Sequence, residues 1–546
     1  MNISNIQTFK HFKQSNISNI HTFQIDFLMK THIFKITLLL TLLAGLSACS
    51  DWLTIKPDGK VVLDDYWKNE ADVEAVVAAC YRGMLEDEFM KRVIVWGELR
   101  SDNIIGGNGS ISDAENKMLQ ASIIPTNDMC RWGSFYTIIN YCNYVLYYAP
   151  NVIDPNFTET KLHAKEAEVL TLRALCYFYL VRTYKDVPLI IDPSISDIQN
   201  YKVPQSAESQ VLDKIEKDLL KAESWAMLAY GSVQYTKGRI TKNAVRALLA
   251  DVYLWKGNYS KCIEYCDKII DDKMLIMKSE NKTNFLLIQN DDNPFTQIFG
   301  LKNSEESIFE LQFSESNKVN QKVYDYYGTA YNNIGQLSAT TSITSTYTVY
   351  PKTDVRRKDN IKDFPSQGLF NIFKYAGQYR SENSLGNSTY TYRSTTANWI
   401  FYRLTDIMLM KAEALVQLNR TTADLTDALH IVNTIFIRSN PTMMLADSFK
   451  IDTYSSKQAM EELVLLERQR ELMFEGKRWF DLLRMARRDG NSSRLLARVL
   501  GKYTDNQTTI KSKMTDMNSL YLPIHQDEMD ANTNLVQNPF YLTESE

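Results

Sequence analysis

Two glutamates near the C-terminus come closest to an arrangement that could do chemistry. Glu471 and Glu475 lie four residues apart in the run Glu467-Arg468-Gln469-Arg470-Glu471-Leu472-Met473-Phe474-Glu475-Gly476-Lys477-Arg478, a spacing that puts both carboxylates on one face of a helix. Glycoside hydrolysis uses such a pair, but across a cleft, about 5 Å apart for retention and more for inversion, with one pKa raised. Here arginines crowd both groups, which favours ionised salt-bridge partners. Helical spacing pairs Glu467 with Arg470, Glu475 with Arg478 and Lys477 with Asp481. The run therefore predicts a structural charge ladder.

Other chemistry has less to work with. Beyond the N-terminal targeting segment only His163, His430 and His525 remain, too widely separated to suggest a zinc site or a His-based triad. Cys262 and Cys266 lie four apart on a predicted helix, yet no histidine is near, and buried free cysteine is common. No catalytic residue, metal site or cofactor is expected. The chain carries 61 basic and 65 acidic residues, net charge −4, and offers no basic stripe for nucleic acid.

The residue that says most about location is Cys49. It closes Leu46-Ser47-Ala48-Cys49 after an apolar run, Ile36 to Leu46, preceded by Lys30 and Lys35. The run is shorter than the roughly 20 residues that span a bilayer but has the length of a signal-peptide core. Residues 1–48 read as a lipoprotein signal with the true start at Met29, since Asn2-Ile3-Ser4-Asn5-Ile6 and Asn16-Ile17-Ser18-Asn19-Ile20 repeat without apolar pattern. Cleavage leaves a lipidated Cys49 at the mature N-terminus. Residues 49–60, with Pro57 and Gly59, read as a tether, and 61–546 as one domain.

Apolar residues make up 44% of the chain, enough for a large core. Helical periodicity dominates. Ala71–Leu85 carries Val73, Val76, Val77, Cys80 and Met84 on one face, and Trp132–Tyr148 carries Phe135, Ile138, Ile139, Cys142 and Val145. Further helices are predicted over Ala164–Tyr184 and Glu208–Trp225, and a hairpin over Thr241–Trp255 and Tyr259–Ile270 across Gly257-Asn258. Ala244, Ala247 and Ala250 would let its helices approach closely, as in tetratricopeptide-like pairs. A second hairpin is predicted over Tyr402–Leu418 and Ala423–Ile437. The fold class is thus mainly α, a helical scaffold (about 61–273 and 400–546) carrying a loop-rich, partly β insertion (about 274–399).

Within that insertion Ser307 to Phe313 alternates as a strand. Tyr324, Tyr326, Tyr327, Tyr331, Tyr347 and Tyr350 cluster in its middle, and Tyr390 and Tyr392 follow. Tyrosines on loops over a rigid scaffold can stack on sugars or side chains; they can equally cover the scaffold where loops lack a core of their own.

Several ordered motifs resemble the SusD/RagB family of Bacteroidetes outer-membrane nutrient-binding lipoproteins. They are the lipobox, Trp96-Gly97-Glu98-Leu99-Arg100-Ser101-Asp102-Asn103, Leu172-Arg173-Ala174 running to Tyr184-Lys185-Asp186-Val187-Pro188-Leu189, and the hairpin from Thr241. Tyr402-Arg403-Leu404-Thr405-Asp406-Ile407, the Glu467–Arg484 ladder, Leu522-Pro523-Ile524-His525 and Gln537-Asn538-Pro539-Phe540-Tyr541 follow in order. The resemblance implies a surface-exposed, non-enzymatic lipoprotein that binds glycan or peptide and delivers it to a SusC-like TonB-dependent barrel, with four tetratricopeptide-like helix pairs behind a loop-rich ligand face. The chain departs from the family's starch-binding members, which place tryptophans in the loop after the Ser-Asp element: Ile104–Thr126 contains no aromatic residue. Candidate ligand residues are Asn103, Asn108, Tyr326, Tyr327, Tyr331 and Tyr390. Glycan capture is the leading expectation. A peptide ligand on the same scaffold and a lipid-anchored protein-protein adaptor are the alternatives.

Overall fold

The computed structural model describes residues 66–107, 110–196, 198–279, 287–289, 293–328, 335–344, 349–364, 369–376, 378–382, 388–392 and 395–542. The expected signal, Cys49 and the tether lie outside these residues. From Trp67 onward the chain forms one compact unit.

Helices of twelve or more residues are labelled α1–α10. They are α1 Glu70–Leu85, α2 Gly133–Tyr148, α3 Glu159–Tyr184, α4 Glu208–Trp225, α5 Lys242–Lys256, α6 Tyr259–Ser279, α7 Leu404–Leu418, α8 Thr422–Ser439, α9 Lys457–Leu472 and α10 Arg478–Asp489. Their starts follow from local chemistry. Asn69 caps α1 in a reciprocal box with Asp72, and the Thr158 and Thr241 hydroxyls accept from Lys161 N and Ala244 N, satisfying amides that a helix start leaves orphaned. α5 ends where Gly257 turns left-handed at φ 74°, the conformation glycine adopts without a Cβ penalty.

The long helices pack in antiparallel succession, α1 on α2, α2 on α3 and α3 on α4, then α5 on α6, α6 on α7 and α7 on α8. This is the tetratricopeptide-like pairing expected from the two hairpins. Ala244, Ala247 and Ala250 are buried at the α5 contact, as are Cys262 and Cys266 of α6, which carry free thiols. α3 is the central element, buried along nearly its whole length from Ala164. One large core runs through most of the unit, and a smaller one gathers α7, α8 and α9 around Leu409, Val432 and Leu463.

Strands are short and occur in pairs. Ser307–Leu311 lies antiparallel to Trp399–Arg403, so the strand expected after Ser307 forms and fastens the insertion to the start of α7. Ile104–Gly106 pairs with Leu337–Ala339. The stretch after the Ser-Asp element therefore begins as a strand, not as a free loop.

The charge ladder is not one helix. α9 stops at Leu472, Phe474 and Gly476 take φ 67° and 72°, and α10 starts at Arg478. A Cβ on Gly476 would collide with the Trp399 ring, and one on Gly97 with the Gly476 carbonyl. The break redirects the charges. Glu467 does pair with Arg470 at 3.1 Å, but Arg478 turns to Asp102 and Lys477 to Asp406, while Asp481 takes Arg468 and Arg484. Sequence spacing misassigned those partners because it assumed continuous helical geometry through Gly476.

Candidate ligand cleft

Glu471 and Glu475 sit in the interior as anions. Glu471 meets Arg403, Arg356 and Arg438 at 2.6, 2.9 and 2.7 Å, and Glu475 meets Arg403 and Lys374 at 2.7 and 2.6 Å. Burial opposes their charge, but the surrounding cations hold both carboxyls below the usual range. The space beside them, bounded by Arg356, Arg403 and Glu471, is only about 40 Å³. Neither carboxylate is a poised acid.

Residues 98–103 tie this interior to the face that carries a cleft. Glu98 accepts from Gly476 N at 3.0 Å and from Asn103 Nδ2 at 3.4 Å; burial pushes its carboxyl up to about 7. Lys502 Nζ donates to the carbonyls of Leu99 and Ser101. Gln469 Nε2 donates to Asn103 Oδ1 at 2.9 Å. Thr340 N returns a bond to the Asn103 carbonyl at 2.9 Å, which sets the neighbouring pair of strands.

Beyond that pair opens a cleft of about 500 Å³, within the range of small-ligand sites. Its floor is the helix Asp113–Leu119, started by Ser112 and Glu115 in a capping box. Tyr326, on the helix Gln321–Tyr327, donates its hydroxyl to Glu115 Oε1 at 2.6 Å. Asn127 Nδ2 holds the Ala114 carbonyl at 3.0 Å. Three lysines line the walls, each beside a carboxylate: Lys117 with Asp113 at 2.7 Å, Lys322 with Asp325 at 3.2 Å, and Lys91 with Glu88 at 3.2 Å and Asp128 at 3.9 Å. Ser110, Thr126 and Gln336 add neutral polar groups. The surface presents donors and acceptors side by side, and the one aromatic ring among its described lining residues, Tyr326, is 1% exposed.

The candidate ligand residues distribute unevenly. Asn103 is fully buried, its side chain bonded to Glu98 and to Gln469 of α9. Tyr326 lines the cleft but shows almost no ring face, and Tyr327 is wholly buried against Phe474. Tyr350, from the same cluster, donates to the Arg470 carbonyl in the core. In these positions the rings cover the scaffold and offer nothing to stack on, a correction to reading Tyr326 and Tyr327 as sugar platforms. The cause is that the insertion has little core of its own, so its largest apolar side chains pack inward. Tyr390 belongs to the strand Ser388–Tyr392; Asn108 and Tyr331 lie outside the described residues. Sequence reasoning missed Lys91, Asp113, Lys117 and Lys322. The one local signal was Ser112-x-x-Glu115, which marks a helix start beside the glycine-rich stretch.

A larger groove, about 730 Å³, lies between α1, the helix Val233–Gly238 and residues 311–317, with Ala78 and Ala79 among its lining and an exposed Tyr235 at its side. His163 stacks on Trp225 with ring centroids 4.0 Å apart, and His525 caps the helix Gln526–Ala531. No described helix is long and apolar enough to cross a membrane.

Residues 366–541 match the family described as the SusD family, and residues 51–254 match one described as "Starch-binding associating with outer membrane". The chain belongs to the SusD/RagB family. Two SusD-like proteins of Formosa agariphila are 26% and 25% identical to it over 82% and 83% of this chain and 90% of each relative. Among solved structures, a SusD superfamily protein from Bacteroides vulgatus superposes with TM-score 0.67 at 22% identity, covering 87% of this chain and 99% of that one. One from Bacteroides thetaiotaomicron gives 0.66 at 21%, with the same coverage. The SusD fold, mainly helical with tetratricopeptide-like pairs, is thus shared at low identity. Against that fold, the Trp96–Asn103 and Glu467–Arg484 motifs of this SusD-family chain are the two sides of one buried ionic junction, joined by Asp102 with Arg478 and Gly97 with Gly476.

Proposed function

We propose that this SusD-family protein captures glycan at the cell surface and delivers it to a SusC-like TonB-dependent outer-membrane barrel, without catalysing a reaction. Lipidated Cys49 holds it to the outer membrane facing the exterior, residues 49–60 act as tether, and 61–546 work as a single body. The observation carrying this reading is the cleft of about 500 Å³ in which lysines and carboxylates alternate around Asp113–Leu119. A saccharide hydroxyl both donates and accepts, and paired Lys and Asp groups satisfy both needs. Among the described lining residues the single ring, Tyr326, is buried, which favours recognition through hydrogen bonds, so a branched, hydroxyl-rich glycan fits better than a helical one built for aromatic platforms. The charge pairs nearly cancel, which disfavours a strongly ionic ligand. The family description that names starch supports the carbohydrate class.

The test is affinity electrophoresis and calorimetry of the chain from Ser50 onward against plant, microbial and host polysaccharides and a mixed peptide digest. Binding to a glycan that weakens at least tenfold in Lys322→Ala is expected. Peptide binding with silence across the glycans would replace the reading with peptide import.

A further inference from the structure

We propose that the end of the molecule where the chain enters from its anchor rests on the lipid bilayer through an isoleucine and tyrosine patch. The inference rests on the lipid-anchor reading of Cys49. Trp67, the first residue of the compact unit, stacks on Tyr148 at the C-terminal end of α2, with ring centroids 5.2 Å apart. Three residues on, Glu70 N donates to Asp154 Oδ2 at 3.0 Å. Both contacts pin the incoming chain to the loop after α2.

That same place carries the apolar exposure. Tyr147 packs edge-on against Tyr148 yet is 50% exposed, and Ile153, beside Asp154, is 94% exposed. The segment 189–204 borders α2, with Tyr144 Oη donating to the Ser194 carbonyl at 2.6 Å and Ser194 N donating to Asn140 Oδ1 at 2.9 Å. It projects Ile191, Ile195, Ile198 and Tyr201 outward, with Ile198 at 96% exposure. Its tip is held internally: Tyr201 Oη donates to the Ser196 carbonyl and Ile195 N to Gln199 Oε1. The isoleucines are thus presented on a tied loop beside α2, and several large apolar side chains exposed in one neighbourhood mark a candidate interaction site.

The occupant follows from the chain's own geometry. Seventeen residues, Ser50 to Tyr66, separate the lipidated position from Trp67; fully extended they reach at most roughly 60 Å, and as a flexible coil about 20–25 Å. A body on so short a connection stays near the bilayer, at a high effective concentration. Isoleucine inserts beneath the headgroups and tyrosine sits at their level. In sequence, the charged residues in and beside the patch are Asp154, Asp192, Asp197 and Lys202, a balance that gives no attraction to anionic headgroups, so contact is apolar and is not weakened by salt.

The six described cysteines are all buried, so an introduced surface cysteine can be labelled selectively. Lipidated mature protein carrying an environment-sensitive dye at Ile198→Cys, or at exposed Thr422→Cys outside the patch as control, is placed in phosphatidylcholine vesicles with a lipid-borne quencher. A blue shift and several-fold stronger quenching at position 198 than at 422, unchanged in 0.5 M NaCl, is expected. Equal quenching at both positions overturns the proposal, as does shielding of position 198 only after a purified outer-membrane barrel is added. Failure of the wild-type protein to float with vesicles would instead reject the Cys49 anchor. The Cys49→Ser protein in excess lipid then reads the patch alone, with weak flotation expected and its loss in Ile153→Asn/Ile198→Asn; no flotation by the parent overturns the patch.

Discussion

Arg478 grips Asp102 with two parallel bonds, Nε to Oδ1 and Nη2 to Oδ2, each 2.8 Å, across 376 residues of sequence. Both side chains are buried, and Gln469 Nε2 reaches the same carboxylate at 3.2 Å. The pair locks the segment before the cleft to the first turn of α10. Burial opposes the Asp102 charge, but Arg478 holds its carboxyl below the ordinary range.

Arg478→Met leaves that carboxylate buried without its partner, and breaking one side of a buried pair costs about 3–5 kcal/mol. Urea unfolding at pH 7 should show a loss of that order. The sign with pH follows from the lowered folded pKa: the pair's contribution is present above the ordinary aspartate pKa and fades as pH falls through the folded value. The wild-type and Arg478→Met midpoints should therefore converge in acid.

Glu98 runs the other way. Its folded pKa of about 7 exceeds the ordinary value of 4.5, so between those pH values the folded state binds the extra proton. Stability from this group is fully present below about pH 4.5 and is lost as pH rises through 7. A shift of this size corresponds to roughly 3–4 kcal/mol. Glu98→Gln should be more stable relative to wild type at pH 8 than at pH 5; a constant difference across that range would contradict the assignment.

Gly476→Ala meets two obstacles, the φ of 72° and the Trp399 ring. The backbone term alone is about 1–2 kcal/mol, and the collision adds to it. Thermal scans should place this variant well below Gly490→Ala, whose φ is 68° but whose added Cβ meets nothing. That comparison separates packing from conformation.

The two open spaces can be told apart by function. Asp113→Asn combined with Lys322→Ala should reduce glycan affinity at least tenfold, while Tyr235→Ala in the groove beside α1 should leave it within twofold. Calorimetry with the glycan found in the panel decides; the reverse ranking would move the ligand site to that groove.

The scaffold was legible because local rules and tertiary structure agree there. Apolar periodicity in 71–85, 132–148 and 241–270, the Thr241 cap and the Gly257 stop each specify a helix and its buried face, and α1, α2, α5 and α6 form where they point. The ladder was legible as charged and structural, since no arrangement of so many arginines leaves Glu471 or Glu475 neutral. Its partners were not. Two left-handed residues at Phe474 and Gly476 turn the chain, and Arg478 then finds Asp102, a pairing that short-range spacing cannot reveal. The cleft was hidden for the same reason. Lys91, Lys117 and Lys322 look like ordinary surface helix residues in sequence, and only tertiary packing brings the helix Asp87–Ile94, residues 110–129, the helix Gln321–Tyr327 and Gln336 around one space. The tyrosines left two readings open in sequence, ring faces for a ligand or cover for the scaffold; solvent drives large apolar groups inward wherever a loop can bury them, and for Tyr326, Tyr327 and Tyr350 the tertiary fold supplied the place.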